Sequence, residues 1–163
     1  MRKQKFIIRR SKEGTVFEIV FIVLAIVAWA FIIHLFNIAP DMIPTHLGFA
    51  GNPDTYGDKH HMLFPCIIST VMGICCVAGA YFPHTVNIPG IKIVNISQAE
   101  LVVRMMRVFA LIMMVLTVGI ALDAYYGNFL FTLATLLALI ATSIIFIVLI
   151  WRQRERGTTH ERK

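Results

Sequence analysis

Four long apolar runs, separated by short polar segments, dominate the chain. Between Ile19 and Pro40 the only ionisable residue is His34. Some twenty apolar residues make a helix of roughly 30 Å, the thickness of the hydrocarbon core of a bilayer. Comparable runs cover 62–82, 108–126 and 129–151. None alternates apolar and polar positions as a barrel strand does, and in lipid a spanning segment must satisfy its own backbone. The pattern therefore predicts an all-α integral membrane protein, a four-transmembrane-helix bundle with spans at about 19–39, 62–82, 108–126 and 129–151.

The connecting segments differ in character. Residues 40–61 are rich in proline, glycine, aspartate and histidine, a combination that fixes φ at some positions and frees it at others. This predicts an ordered loop between helices 1 and 2, too rigid for a linker. Gly127-Asn128 is a very short turn that forces spans three and four into an antiparallel hairpin. Ahead of span three, Ser97-Gln98-Ala99-Glu100 reads as a capping box with Ser97 as N-cap. An interfacial helix is expected to start there, pass Arg104 and Arg107, and run on into the span. Small residues recur in span two (Ser69, Gly73, Cys76, Gly79, Ala80) and in span four (Ala134, Thr135, Ala138, Ala141, Thr142, Ser143). Both faces favour close helix packing and leave room for a homo-oligomer. Pro65 falls in the first turn of span two, where a missing N–H costs little.

Composition agrees: 58% of the 163 residues are hydrophobic and 15% charged, against about a quarter charged in soluble domains. The net charge of +6 does not indicate nucleic acid, because the basic residues cluster at the termini (1–15 and 152–163) and between spans two and three (Lys92, Arg104, Arg107). The first loop holds one, Lys59. By the positive-inside rule both termini are cytoplasmic and the 40–61 loop faces outward, with the basic ends near lipid headgroups. Ala28-Trp29-Ala30 imitates a signal cleavage site, but apolar sequence continues to Phe36, so span one is expected to stay as an anchor. The Asn95-Ile96-Ser97 sequon then lies on the side without glycosylation. Cys66, Cys75 and Cys76 lack metal or redox spacing and read as packing residues.

Chemistry-bearing side chains gather at the outer end: His34, Asp41, His46, Asp54, Asp58, His60, His61 and Asp123. Asp123, a turn inside span three, either reaches the headgroup region or caps a neighbouring loop, or else faces the bundle and meets the first loop from below. Glu18, at the other end, is expected to pair with nearby basic residues. Asp41, His46 and Asp54 carry donors suited to a divalent metal such as zinc, though without compact ligand spacing. Such an ion would activate water in a metal-dependent membrane enzyme. The alternative is a hydrogen-bonded scaffold, with Lys59 paired to Asp54 or Asp58. No nucleophilic triad, phosphate-binding glycine loop or base-stacking patch is present in the sequence.

The loop's Pro40, Asp41, Pro44, His46, Gly51, Asp54 and Lys59 resemble the Pro-Asp-x-x-Pro-x-His pattern of SdpI-like bacterial membrane proteins. The resemblance covers roughly 36–90, including the Pro83…Asn87 turn, with Ala39 and Leu47 replacing a common leucine and aromatic. It implies a non-enzymatic protein of the bacterial cytoplasmic (inner) membrane that gives immunity to a toxic peptide or signals to a cytoplasmic regulator. Those seven positions would form the ligand-binding surface, supported by His34 and Asp123. The family's immunity protein carries further membrane helices. An accessory subunit of a transporter is a third reading.

Overall fold

A computed structural model of the chain describes residues 11–48, 52–88, 91 and 93–160. The basic residues within 1–10, Gly51, Pro89, Lys92 and the residues 161–163 lie outside the described set, as do the side chains of Leu47 and 154–160. Among the described residues, four helices are long and apolar enough to cross a membrane: α1 (Lys12–Ile38), α2 (Leu63–Gly79, entered through a 3-10 turn Lys59–Met62), α3 (Ile96–Tyr126) and α4 (Leu130–His160). Between α1 and α2 stands an antiparallel hairpin, β1 (Met42–Leu47) and β2 (Pro53–Asp58).

Local chemistry sets the helix ends. The Ser11 hydroxyl accepts from the Gly14 N–H (3.0 Å) and caps α1, so the helix begins before the apolar run and takes in residues assigned to the basic segment 1–15. It stops at Ala39, whose ψ of 145° is extended, because Pro40 disfavours helical backbone in the residue before it. α3 ends at Gly127, in the left-handed region at φ 66°, where glycine carries no Cβ penalty.

The start of α3 differs from the capping-box expectation. Asn95, not Ser97, is the N-cap; its Oδ1 accepts from Gln98 N–H at 2.8 Å. Gln98 Oε1 accepts from Val94 N–H (2.8 Å), while its Nε2 donates to the Ile150 carbonyl of α4 (3.1 Å). Gln98 is fully buried and Ser97 is exposed. Both sequences fit a capping box, and the pair that also reaches α4 prevails. Beyond the cap the helix passes Arg104 and Arg107 and runs on into the span as expected: α3 is unbroken for 31 residues, about 46 Å at 1.5 Å per residue.

α3 is the central helix. Its spanning window is 44% buried, against 28% for α2, 17% for α1 and 11% for α4, and each of the others packs against it. One core cluster, at the hairpin end, joins Ile32, Leu35, Ile43, Met62, Cys66 and Ala121, so the hairpin shares the bundle core through Ile43. Gly73 lets three helices meet: a Cβ there would lie 2.9 Å from Met114 Cε and 3.2 Å from the Phe21 ring. Polar groups tie helix to helix, as suits an apolar medium: Trp29 Nε1–H to Thr70 Oγ1 (3.1 Å) and Ser69 O–H to the Met113 carbonyl (3.1 Å). All three cysteines are free, and buried Cys66 packs in the core as expected. On α4, by contrast, Thr135 is buried but Ala134, Ala138 and Ala141 are exposed. Ala134 and Ala138 line an apolar groove of about 690 Å³ with α1 and α3.

At the opposite end from the hairpin, Arg104 grips Glu13 with two hydrogen bonds (3.0 and 3.1 Å). Glu18 accepts from the Tyr81 hydroxyl, a partner the charge pattern does not reveal.

Candidate functional site

The motif residues build the hairpin and fasten it to the bundle. The strands pair Met42 with Asp58, Ile43 with Gly57 and Pro44 with Tyr56, with irregularities near His46. Pro44 survives inside a strand because it occupies a pair whose backbone groups point away from the partner. Ile43 turns its side chain into the core, 1% exposed. On the opposite side, Pro44 and Pro53 press on the α3–α4 turn: a Cβ on Gly127 would meet Pro44 Cγ at 2.9 Å and Pro53 Cγ at 3.3 Å. Gly127 thus both ends α3 and seats the hairpin.

Charged residues then lock the hairpin's two ends. At the base, Lys59 N–H donates to the Asp41 carbonyl (3.0 Å) and Lys59 Nζ pairs with Asp41 Oδ1 (3.1 Å). The same ammonium lies 5.3 Å from the Phe36 ring centroid, within cation–π range. The scaffold expectation gave Lys59 a carboxylate from Asp54 or Asp58; the structure gives it Asp41, because strand register puts residues 41 and 59 opposite each other.

Towards the tip, His46 Nδ1 lies 2.6 Å from Asp54 Oδ1. An ionised carboxylate can only accept, so the imidazole Nδ1 carries the proton. That bond, the largest influence, holds the Asp54 carboxyl below the ordinary aspartate value, helped by a bond from Thr55. Asp58 is lowered too, chiefly by the His60 backbone N–H (2.8 Å) and then by its ring Nδ1 (2.5 Å). His60 also meets Phe36 edge to face.

Asp123 takes the capping option. It is 5% exposed, and its two oxygens accept from the N–H groups of Phe131 (3.1 Å) and Thr132 (2.6 Å) at the start of α4. A carboxylate there satisfies orphan donors and complements the helix dipole. It also lines a cavity of about 280 Å³ with Pro44, Thr45, His46, Ala124, Gly127 and Asn128, directly beneath the hairpin. His34 is not brought to this site; it is exposed on α1 and has no hydrogen-bond partner among the described residues.

Asp41, His46 and Asp54 are split between two separate pairs. Among the described residues no three His, Cys, Asp or Glu side chains gather as a metal ion would need. Phe36, Pro53 and Gly127, all important here, escaped the sequence-based selection. Gly127 had a readable signal, since Gly-Asn after an apolar helix marks a left-handed C-cap; Phe36 and Pro53 had none beyond proximity to the motif.

Residues 23–69 match the family described as a domain of unknown function (DUF1648). The match runs from the middle of α1 through the hairpin into α2, and so includes every motif residue. No curated protein and no solved structure matches the chain.

Proposed function

We propose that this is a non-enzymatic bacterial membrane protein of SdpI-like type, whose hairpin recognises a peptide ligand outside the cytoplasmic membrane. Immunity to a toxic peptide, or signalling of its presence to a cytoplasmic regulator at the basic end, is the role this reading assigns. The observation that carries it is that the motif residues stabilise one presented surface. Pro44 seats it, Lys59 with Asp41 closes its base, and His46 with Asp54 ties its tip. The carboxylates and imidazoles are bonded pairwise on an exposed face, an arrangement suited to recognition rather than to acid–base work in a water-excluded cleft. The DUF1648 match over the same residues supports the SdpI-like assignment.

The test is cellular. Cells producing His46→Ala or Asp41→Ala protein are expected to lose protection against a membrane-active peptide toxin to which the wild type confers resistance. Membrane insertion, followed by fractionation, should be unchanged. Protection equal to wild type in both variants would show that the motif has only a structural role.

A further inference from the structure

We infer that the free edge of β2 is a docking strand for an extended, basic peptide, which adds to the hairpin as a third strand. The inference rests on the recognition reading above and names the ligand class for it. The register dictates which backbone groups are free. Residues 41 and 59 form a hydrogen-bonded pair through Lys59 N–H and the Asp41 carbonyl. Antiparallel pairs alternate, so Ile43–Gly57 is hydrogen-bonded while Met42–Asp58 and Pro44–Tyr56 are not. The N–H and C=O of Tyr56 and the N–H of Asp58 therefore point away from β1. β2 packs on β1, touches the α3–α4 turn through Pro53, and is otherwise exposed at Asp54, Thr55, Tyr56 and Asp58. An open edge of this kind is a template for strand addition.

Charge decides the occupant. Asp54 and Asp58 flank Tyr56 on this strand, their exposed carboxylates accepting from the His46 and His60 rings, and the nearest lysine, Lys59 just past β2, is engaged with Asp41 just ahead of β1. A second copy pairing antiparallel about Tyr56 would bring Asp54 of one chain towards Asp58 of the other, and facing like charges oppose pairing. A strand with a β-branched or aromatic residue opposite Tyr56, and lysine or arginine two positions to either side, meets opposite charges at both flanks and packs against the tyrosine ring.

The experiment uses the full chain in nanodiscs and an end-blocked probe, Thr-Lys-Thr-Val-Thr-Lys-Thr, with binding measured calorimetrically. The lysine probe should bind at least about tenfold more tightly than its glutamate counterpart. N-methylation of the central valine should weaken it by a similar factor, about tenfold, because the hydrogen bond to Tyr56 is lost. Tyr56→Pro removes the outward N–H without touching the β1 ladder and should match that loss; Tyr56→Phe should bind like wild type. Should the N-methylated probe bind as well as the parent, strand addition is wrong, while recognition through side chains stands. Equal binding of lysine and glutamate probes overturns the charge argument and the inference with it. Neither result bears on the His46→Ala protection assay, which tests the underlying reading separately.

Discussion

Gly127 shows how much can depend on one residue's missing side chain. Alanine there must hold a left-handed backbone at about 1–2 kcal/mol, and its methyl would also press on Pro44 at 2.9 Å. Gly127→Ala is expected to lower the thermal midpoint in detergent and to increase hydrogen exchange in β1 and β2, whereas Gly79→Ala, which meets only the flexible end of Met106, should do neither. Asp54 gives a second residue-level expectation. Its carboxyl is depressed in the folded hairpin by the bond from His46. The resulting stabilisation is therefore complete above about pH 3.9, the unfolded aspartate value, and is lost as pH falls through the lower folded value. Hairpin amide protection should drop over that acid window in the wild type, and Asp54→Asn should remove this component of the pH dependence.

Among the elements, the spanning helices were legible because lipid demands long uninterrupted apolar runs; their ends at the hairpin side fall close to expectation, while α1 and α3 begin earlier, at Lys12 and Ile96, ahead of the apolar runs. The hairpin was less legible. Its strands are six residues each and carry Pro44, Pro53 and Gly57, so neither β propensity nor strict alternation marks them. What identified the segment was its turn-forming, charged composition, which signalled order without specifying a sheet. Pairings such as Lys59 with Asp41 depend on register, and register is invisible until the sheet is known. The α3 start failed differently: two overlapping capping signals compete, and only tertiary contact with the Ile150 carbonyl decides between them. This has a direct check. Gln98→Ala removes the buried bond to the Ile150 carbonyl and should cost about 1–3 kcal/mol in denaturant unfolding, and Asn95→Ala about 1 kcal/mol. Ser97→Ala and Glu100→Ala, both at exposed positions, should stay within about 0.5 kcal/mol of wild type. A large loss at Ser97 would restore the original cap.

For the molecule as a whole, the structure separates two chemically different ends. Core clusters place the ends of α1 and α3 and the start of α2 beside the hairpin, and the start of α3 beside the end of α4 at the other pole. Of 15 lysines and arginines, Lys59 alone belongs to the two connections at the hairpin end. Insertion keeps basic connections on the cytoplasmic side, so the acidic hairpin is expected outside and the basic pole inside. With Cys66, Cys75 and Cys76 replaced by alanine, Thr55→Cys should react with an impermeant maleimide added to intact cells, and Thr158→Cys should react only after lysis. The reverse pattern would turn the hairpin towards the cytoplasm. An extracellular peptide could then not reach the free edge of β2, however well the isolated protein bound one. The orientation is thus the condition that converts a binding surface into a receptor for something outside the cell. A single labelling experiment tests that condition without knowledge of the ligand.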